Sequence, residues 1–169
     1  MEQRTKRDIR VKIRPAEEKE AGKVLEFIKY LAEYELLPGE VTATEELIRE
    51  NVFHKHGAEV VFAEIDGTPV GFALFFHNFS TFLGKPGIYL EDLFVKPEHR
   101  GKGVGKDLLM YLAKLAIERG CGRFEWAVLN WNQSAISFYE SLGARPMNEW
   151  KIYRLSGTDL ERVAGMATE

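Results

Sequence analysis

The stretch from Tyr89 to Leu109, YLEDLFVKPEHRGKGVGKDLL, constrains the fold more than any other part of the chain. An apolar run ends at Val95, and a basic loop with glycines at every second position (Gly101, Gly103, Gly105) follows. Val104, Leu108, Tyr111, Leu112, Leu115 and Ala116 then recur at helical spacing. Strand, glycine loop and helix in immediate succession put backbone N–H groups at a helix N-terminus with little bulk in front of them, which is an arrangement suited to a phosphate. Lys96, Arg100, Lys102 and Lys106 add positive charge there, although the whole chain carries a net charge of −3. The same residues also fit a plainer reading, a solvated turn with lysines around it. Two familiar phosphate loops are excluded by spacing. The third glycine of a dinucleotide fingerprint falls at Lys106, and the first glycine and the final Ser or Thr of a P-loop fall at Arg100 and Asp107.

The rest of the sequence supplies elements to pack against this unit. Ile9, Val11 and Ile13 alternate with Arg10, Lys12 and Arg14, the period of a half-buried strand closed by Pro15. A helix is predicted from there to about Leu37, stopped by Pro38-Gly39, and a second in VTATEELIRENVF with Thr42 or Thr44 as N-cap. Two β-rich runs around Asp66-Gly67 read as a hairpin. GIYLEDLFV and RFEWAVL are further strands, NQSAISFYESLG a short helix, and WKIYRL a last strand. The predicted order, β-α-α-β-β-β-α-β-α-β, is an α/β fold with a mixed sheet flanked by helices. With 169 residues, 45% of them hydrophobic, the chain is expected to form one domain over residues 9–169, with residues 1–8 as a flexible polar extension.

Composition removes several function classes. Basic residues gather in one loop rather than along a face with interleaved aromatics, so a nucleic-acid partner is not expected. The chain has no run of about 18 apolar residues and no apolar N-terminal segment, so the expectation is a cytoplasmic protein without a membrane partner. Cys121 is the only cysteine, flanked by glycines with no histidine nearby, which argues against a nucleophile. His54, His56, His77 and His99 lack the spacing or companions of metal ligands, and no metal is expected.

Arg100-x-x-Gly103-x-Gly105 after a strand resembles the acetyl-coenzyme A motif of the GNAT superfamily of N-acetyltransferases, and Asn132 to Ala144, NQSAISFYESLGA, is similar to that superfamily's second motif. IKYLAEYE, YLEDLFV and VLNWN extend the resemblance to the diamine (spermidine/spermine) and thialysine N-acetyltransferases, over roughly residues 9–165. The resemblance implies a mostly antiparallel sheet, acetyl-CoA as co-substrate, a small-molecule amine as acceptor and a homodimer. It places the pyrophosphate on the backbone of Arg100, Gly101, Lys102, Gly103, Val104, Gly105 and Lys106. The backbone near Phe94 and Val95 would donate to the developing oxyanion, Asn132 would bond the coenzyme arm, and Tyr139 would protonate the departing thiolate. Asn132 and Tyr139, seven residues apart, fall on one helical face; packing beside Ala135, Phe138 and Leu142 is an alternative reading of Tyr139. Where the spermidine/spermine type carries Asp-Pro-Trp before the fourth strand, this chain has Ser80-Thr81-Phe82, closer to the thialysine type. The acceptor expected is therefore a small diamine or an amino-acid-like amine.

The adjacent carboxylates Glu91 and Asp92 are costly in a strand covered on both faces unless they serve a function. Strict alternation sends them to opposite faces, whereas a bulge would turn both toward a cleft. An amine with a pKa near 10.4 must shed a proton before attack, at a cost of roughly 4 to 5 kcal/mol at pH 7. Glu91 is assigned as that base and Asp92 as partner to a distal cation, with an ordinary ion pair as the alternative. Val24, Ile28 and Leu31 form an inner helical stripe whose next position is Glu35, so Glu35 is expected to face a cleft or an interface; the resemblance implies that this helix end and the following loop help form an amine site, with Tyr34 and Glu40 as weaker candidates. A non-catalytic acetyl-CoA sensor on the same fold remains open, since a fold alone does not establish an activity.

Overall fold

The computed structural model describes residues 10–167. Ile9 and the extension expected over residues 1–8 lie outside the described residues. The chain packs as two compact units divided between Leu129 and Asn130.

The first unit is a five-stranded sheet in the order β1-β2-β3-β4-β5. Strands β1 (Val11–Pro15), β2 (Glu59–Ile65), β3 (Thr68–Ser80) and β4 (Lys85–Val95) pair antiparallel in sequence order, and β5 (Arg123–Trp126) joins β4 in parallel. The hairpin at Asp66-Gly67 forms as expected. Both residues have positive φ, 50° and 77°, the two-residue turn whose twist matches antiparallel strands. Strand β5 stops at Trp126, three residues short of the predicted end, because its ladder with β4 ends there.

Helix α1 (Ala21–Tyr34) covers one face of the sheet. Its Phe27, fully buried, meets Phe62, Phe72 and Phe94 at ring distances of 5.6, 5.3 and 6.3 Å, and Val24 and Leu31 complete the cluster. The helix ends three residues before the predicted Leu37. Leu36 adopts φ +62°, and the N–H groups of Leu36 and Leu37 bond back to the carbonyls of Glu33 and Ala32 at 3.1 and 2.8 Å. This paired closure usually carries glycine at the left-handed position; a leucine there is held at a cost of about 1 kcal/mol. Helix α2 (Glu45–Ile48) is capped by Thr44, whose Oγ1 accepts the Leu47 N–H at 3.2 Å, and continues in wider turns over Arg49–His54. Helix α3 (Val104–Glu118) buries Val104, Leu108, Leu109, Leu112 and Ala116, close to the predicted stripe.

The second unit holds α4 (Gln133–Ser141) and α5 (Gly157–Ala164). The predicted last strand, WKIYRL, is not formed. Trp150, Ile152 and Tyr153 are 74, 79 and 90% exposed, and among the described residues no ladder includes them, so the alternating pattern has neither a pairing edge nor a face to bury. Helix α5 was not anticipated; Leu160 and Val163 at a three-residue interval were its only apolar signal.

Ahead of α1, Arg14 ties β1 to β2 and to the turn Glu18–Glu20. Its guanidinium donates twice to Glu20, at 2.8 and 2.7 Å, and once to Glu64 at 2.8 Å. The hydrogen bonds from Arg14 hold the Glu20 carboxyl down at about 2. A carboxylate so depressed stabilises the fold above its unfolded pKa and loses that contribution as pH falls through the folded one. Glu20→Gln is therefore expected to cost about 2 kcal/mol in urea unfolding at pH 7, with a penalty that shrinks between pH 5 and 2. A penalty independent of pH would remove the ion pair as its cause.

Candidate active site

The site is organised by one irregularity in β4. Leu74 of β3 faces Asp92 and the next residue, Phe75, faces Leu90, so Glu91 is an extra residue in the ladder. This is the bulge that would be needed to break strict alternation. Leu90 faces the α3 side of the sheet, while Asp92 and Phe94 both face α1. Glu91 itself is exposed and Asp92 half-buried. The bulge follows directly on Leu90, which pairs with Trp126 as the last rung between β4 and β5. Among the described residues no strand pairs with β4 on that side beyond this rung. The edge of β4 from Glu91 to Val95 thus has no strand partner on that side: Phe94 pairs with Phe72 on the other, while the backbone of Leu93 and the Val95 N–H face outward and the Val95 carbonyl is taken by Arg100.

Asp92 reaches a pocket of about 320 Å³ between α1 and the segment that follows it. Ile28, Leu31, Ala32, Leu37, Val41 and Ala43 give it apolar walls, and Glu35, Glu40 and Asp92 give it three carboxylates. Burial, then the neighbouring charges of Glu91 and Glu35, push the Asp92 carboxyl up to about 7. Burial also raises Glu35 above the usual carboxylate range. Such groups hold an uncompensated charge at some cost and are stabilised by an arriving cation. Glu35 is where the helical stripe put it. Tyr34 is not part of the pocket wall: its ring lies edge-on to Phe94 at 6.5 Å and under the Arg100 guanidinium at 4.7 Å. Val41, Thr42 and Ala43, read in the sequence only as the start of the second helix, precede its N-cap Thr44 and line the pocket instead.

The glycine loop leaves β4 through a short turn, Pro97–His99. Gly101 and Gly103 have φ of 71° and 83°, so the left-handed backbone explains glycine at both. At Gly105 an added Cβ would only touch Leu93 and Val95 at 3.8 Å, an ordinary contact, so interior packing does not demand glycine there. Gly103 is the N-cap of α3 and brings no side chain to the cap, and the N–H groups of Val104, Gly105 and Lys106 form the first helical turn. Lys102 and Lys106 are exposed on either side. An N-terminal helix turn with glycine at its cap and two lysines at its rim fits a pyrophosphate. The Arg100 side chain turns away from the loop, its Nε donating to the Val95 carbonyl at 2.8 Å.

In the second unit Asn132 is the N-cap of α4 rather than a residue of its first turn. Its Oδ1 accepts the Ala135 N–H and the Ser134 hydroxyl, both at 3.3 Å. Tyr139 lies two turns further on, its ring 5.7 Å from that of Phe138. Among the described residues no group of three or more His, Cys, Asp or Glu side chains is placed to hold a metal ion, and no helix is long and apolar enough to cross a membrane.

Residues 24–144 match the Acetyltransferase (GNAT) family. A thialysine N-epsilon-acetyltransferase of Sus scrofa is 40% identical over 92% of this chain and 98% of its own length. An L-ornithine N5-acetyltransferase of Arabidopsis thaliana is 47% identical over 58% of this chain and 43% of its own length. Among solved structures, an integron cassette protein from the V. cholerae mobile metagenome superposes with a TM-score of 0.77 at 30% identity, covering 91% of this chain and 97% of that one. The strand, glycine loop and helix of residues 89–109 thus lie within a domain of known kind, and the chain belongs to the GNAT family of acetyltransferases.

Proposed function

We propose that this protein transfers the acetyl group of acetyl-CoA to a primary amine of a small diamine or amino-acid-like acceptor, by direct attack in a ternary complex. The observation that carries the reading is the course of β4. Within one strand it presents Asp92 to a carboxylate-lined pocket, opens its backbone edge over the next residues and leads into the glycine loop. The pocket suits an aminoalkyl chain, with apolar walls for the methylenes and Glu35 and Asp92 for a cationic group remote from the reacting amine. Acceptors named for the relatives, thialysine and L-ornithine, are amino acids with a side-chain amine, which agrees with that chemistry.

The thioester supplies an electrophilic carbonyl when bound; the protein supplies placement and proton transfer. Glu91, exposed at the bulge, receives the ammonium proton through water and frees the nitrogen lone pair for the new C–N bond. Backbone N–H groups near Phe94 and Val95 stabilise the charge that grows on the carbonyl oxygen. As the C–S bond breaks, Tyr139 gives its proton to the thiolate, and the second proton that the nitrogen sheds on becoming an amide restores the tyrosine through water. A thiol pKa near 8.5 makes that help modest, on the order of 10²-fold. Asn132 holds the coenzyme arm. The reading includes a cytoplasmic location and a homodimer; the exposed apolar residues Trp150, Ile152 and Tyr153, which a second copy would cover, support the homodimer alone.

Gly103→Asp is expected to abolish CoA binding by calorimetry while the fold survives, because aspartate tolerates a left-handed φ better than most residues. Undiminished affinity in a folded variant would reject the phosphate assignment.

For a diamine or thialysine, Glu35→Gln or Asp92→Asn should raise KM about 10- to 100-fold at pH 8, the worth of a charge-assisted hydrogen bond, with little change for a simple monoamine. Asp92 is neutral below its raised pKa, so the Asp92→Asn penalty should fade toward pH 6. An equal penalty for all acceptors at every pH would remove both carboxylates from cation binding.

Two kinetic signatures separate the proton-transfer groups. Glu91→Gln should lower kcat for all acceptors, with a deficit that narrows as pH rises and free amine accumulates. Tyr139→Phe should lower kcat with CoA affinity unchanged, and full turnover across the pH range would return the ring to a packing role.

A further inference from the structure

Arg100 stands first in the motif that names the loop, yet its side chain does not point along it. The guanidinium lies 4.7 Å from the centroid of the Tyr34 ring and 5.0 Å from that of Phe94, with Nε bonded to the Val95 carbonyl at 2.8 Å. Three contacts hold one planar cation, so its position is tightly determined. Besides the loop itself, these contacts lead to two parts of the site. The Arg100 backbone begins the anion loop, Phe94 and Val95 belong to the open edge of β4, and Tyr34 is the last residue of α1. The residue after Tyr34 is Glu35, on the pocket wall, and the one after that is Leu36, in its left-handed conformation. The pocket wall therefore hangs from a helix end under backbone strain, and such ends persist only where their surroundings hold them. Lys96 cannot serve in this way, since its ammonium lies over Phe27, further back in the aromatic cluster.

We propose that Arg100 is a positioning residue that couples the two ligand sites: its guanidinium, packed against the touching rings of Tyr34 and Phe94, carries the ordering of the anion loop to the end of α1 and so to the acceptor pocket. The identity of the two ligands rests on the acetyl-transfer reading; the mechanical tie does not. A ligand that immobilises the loop fixes the Arg100 backbone, and the second ligand then meets a helix end already ordered, so less is lost on binding it. Coupling of this kind is reciprocal, and the acceptor tightens the coenzyme by the same factor. The charge of Arg100 is not the working property. A lysine would keep the charge near the loop but lack the planar group that packs against both rings at once.

Two measurements test this, one of them without any ligand. In hydrogen exchange on the unliganded protein, Arg100→Met and Arg100→Lys should both speed exchange of the Glu35, Leu36 and Leu37 amides about 10-fold, with the Phe62 and Phe72 amides unchanged. Unchanged rates at the helix end would overturn the tie, as would protection restored by lysine. In calorimetry with free CoA and thialysine as probes, the wild-type protein should bind thialysine about 5- to 10-fold more tightly when saturated with CoA. That factor should fall toward one in Arg100→Met, Arg100→Lys and Tyr34→Leu, while Arg100→Lys retains more CoA affinity than Arg100→Met. The same factor in wild type and variants would refute the coupling. A wild-type protein that bound neither probe would instead refute the acetyl-transfer reading, and the exchange experiment would still decide the role of Arg100.

Discussion

Strand β4 loses its parallel partner after Leu90, and the rest of the site depends on that loss. A fully paired central strand would spend its backbone groups on neighbours and leave none for a ligand. Here the extra residue Glu91 enters the ladder immediately after the last rung, so the change of face and the opening of the edge occur together. Without the bulge, Asp92 would share a face with Leu90, on the α3 side, and the pocket beneath α1 would lack its third carboxylate. The bulge thus sets which way the charge points, and the short β5 sets where the backbone becomes available.

The two ends of this arrangement carry opposite charge, and neither is visible in the net charge of −3. At the pocket, burial and mutual repulsion raise Asp92 and burial raises Glu35, so the site is poised to take up positive charge. At the loop, a helix N-terminus, Lys102 and Lys106 are poised to take up negative charge. Asp92 and Val95 are about 10 Å apart along an extended strand, a distance over which a low-dielectric interior screens charge less than water does. Between the two ends sits the aromatic group of Phe27, Tyr30, Tyr34 and Phe94, which packs α1 against the sheet and takes the Arg100 guanidinium on its outer side. Packing and site geometry are here the work of the same rings.

Local chemistry was legible in the sequence wherever a few neighbouring residues decide the outcome. Asp66-Gly67 made its turn because both residues tolerate positive φ, Thr44 capped α2, and the glycine loop with the α3 stripe stood where period and punctuation put them. Glu35 could be singled out because it interrupts an apolar stripe at helical spacing. The α1 terminus was misjudged because a leucine occupies a left-handed position that glycine usually marks. The last strand was misjudged because alternation signals a strand only where an edge exists to receive it.

By itself, then, the sequence determined the strand, loop and helix unit, the residue types at the two charged ends and the family to which they point, since these rest on period, backbone tolerance and spacing along the chain. Only the tertiary structure decided that Glu91 is the extra residue, that Asp92 and Glu35 share a pocket with the loop after α1, and that Arg100 stacks on Tyr34 rather than reaching along its own loop. The physical reason is that a bulge is defined by counting residues on two strands at once, and that a raised carboxyl or a stacked cation exists only through neighbours distant in sequence.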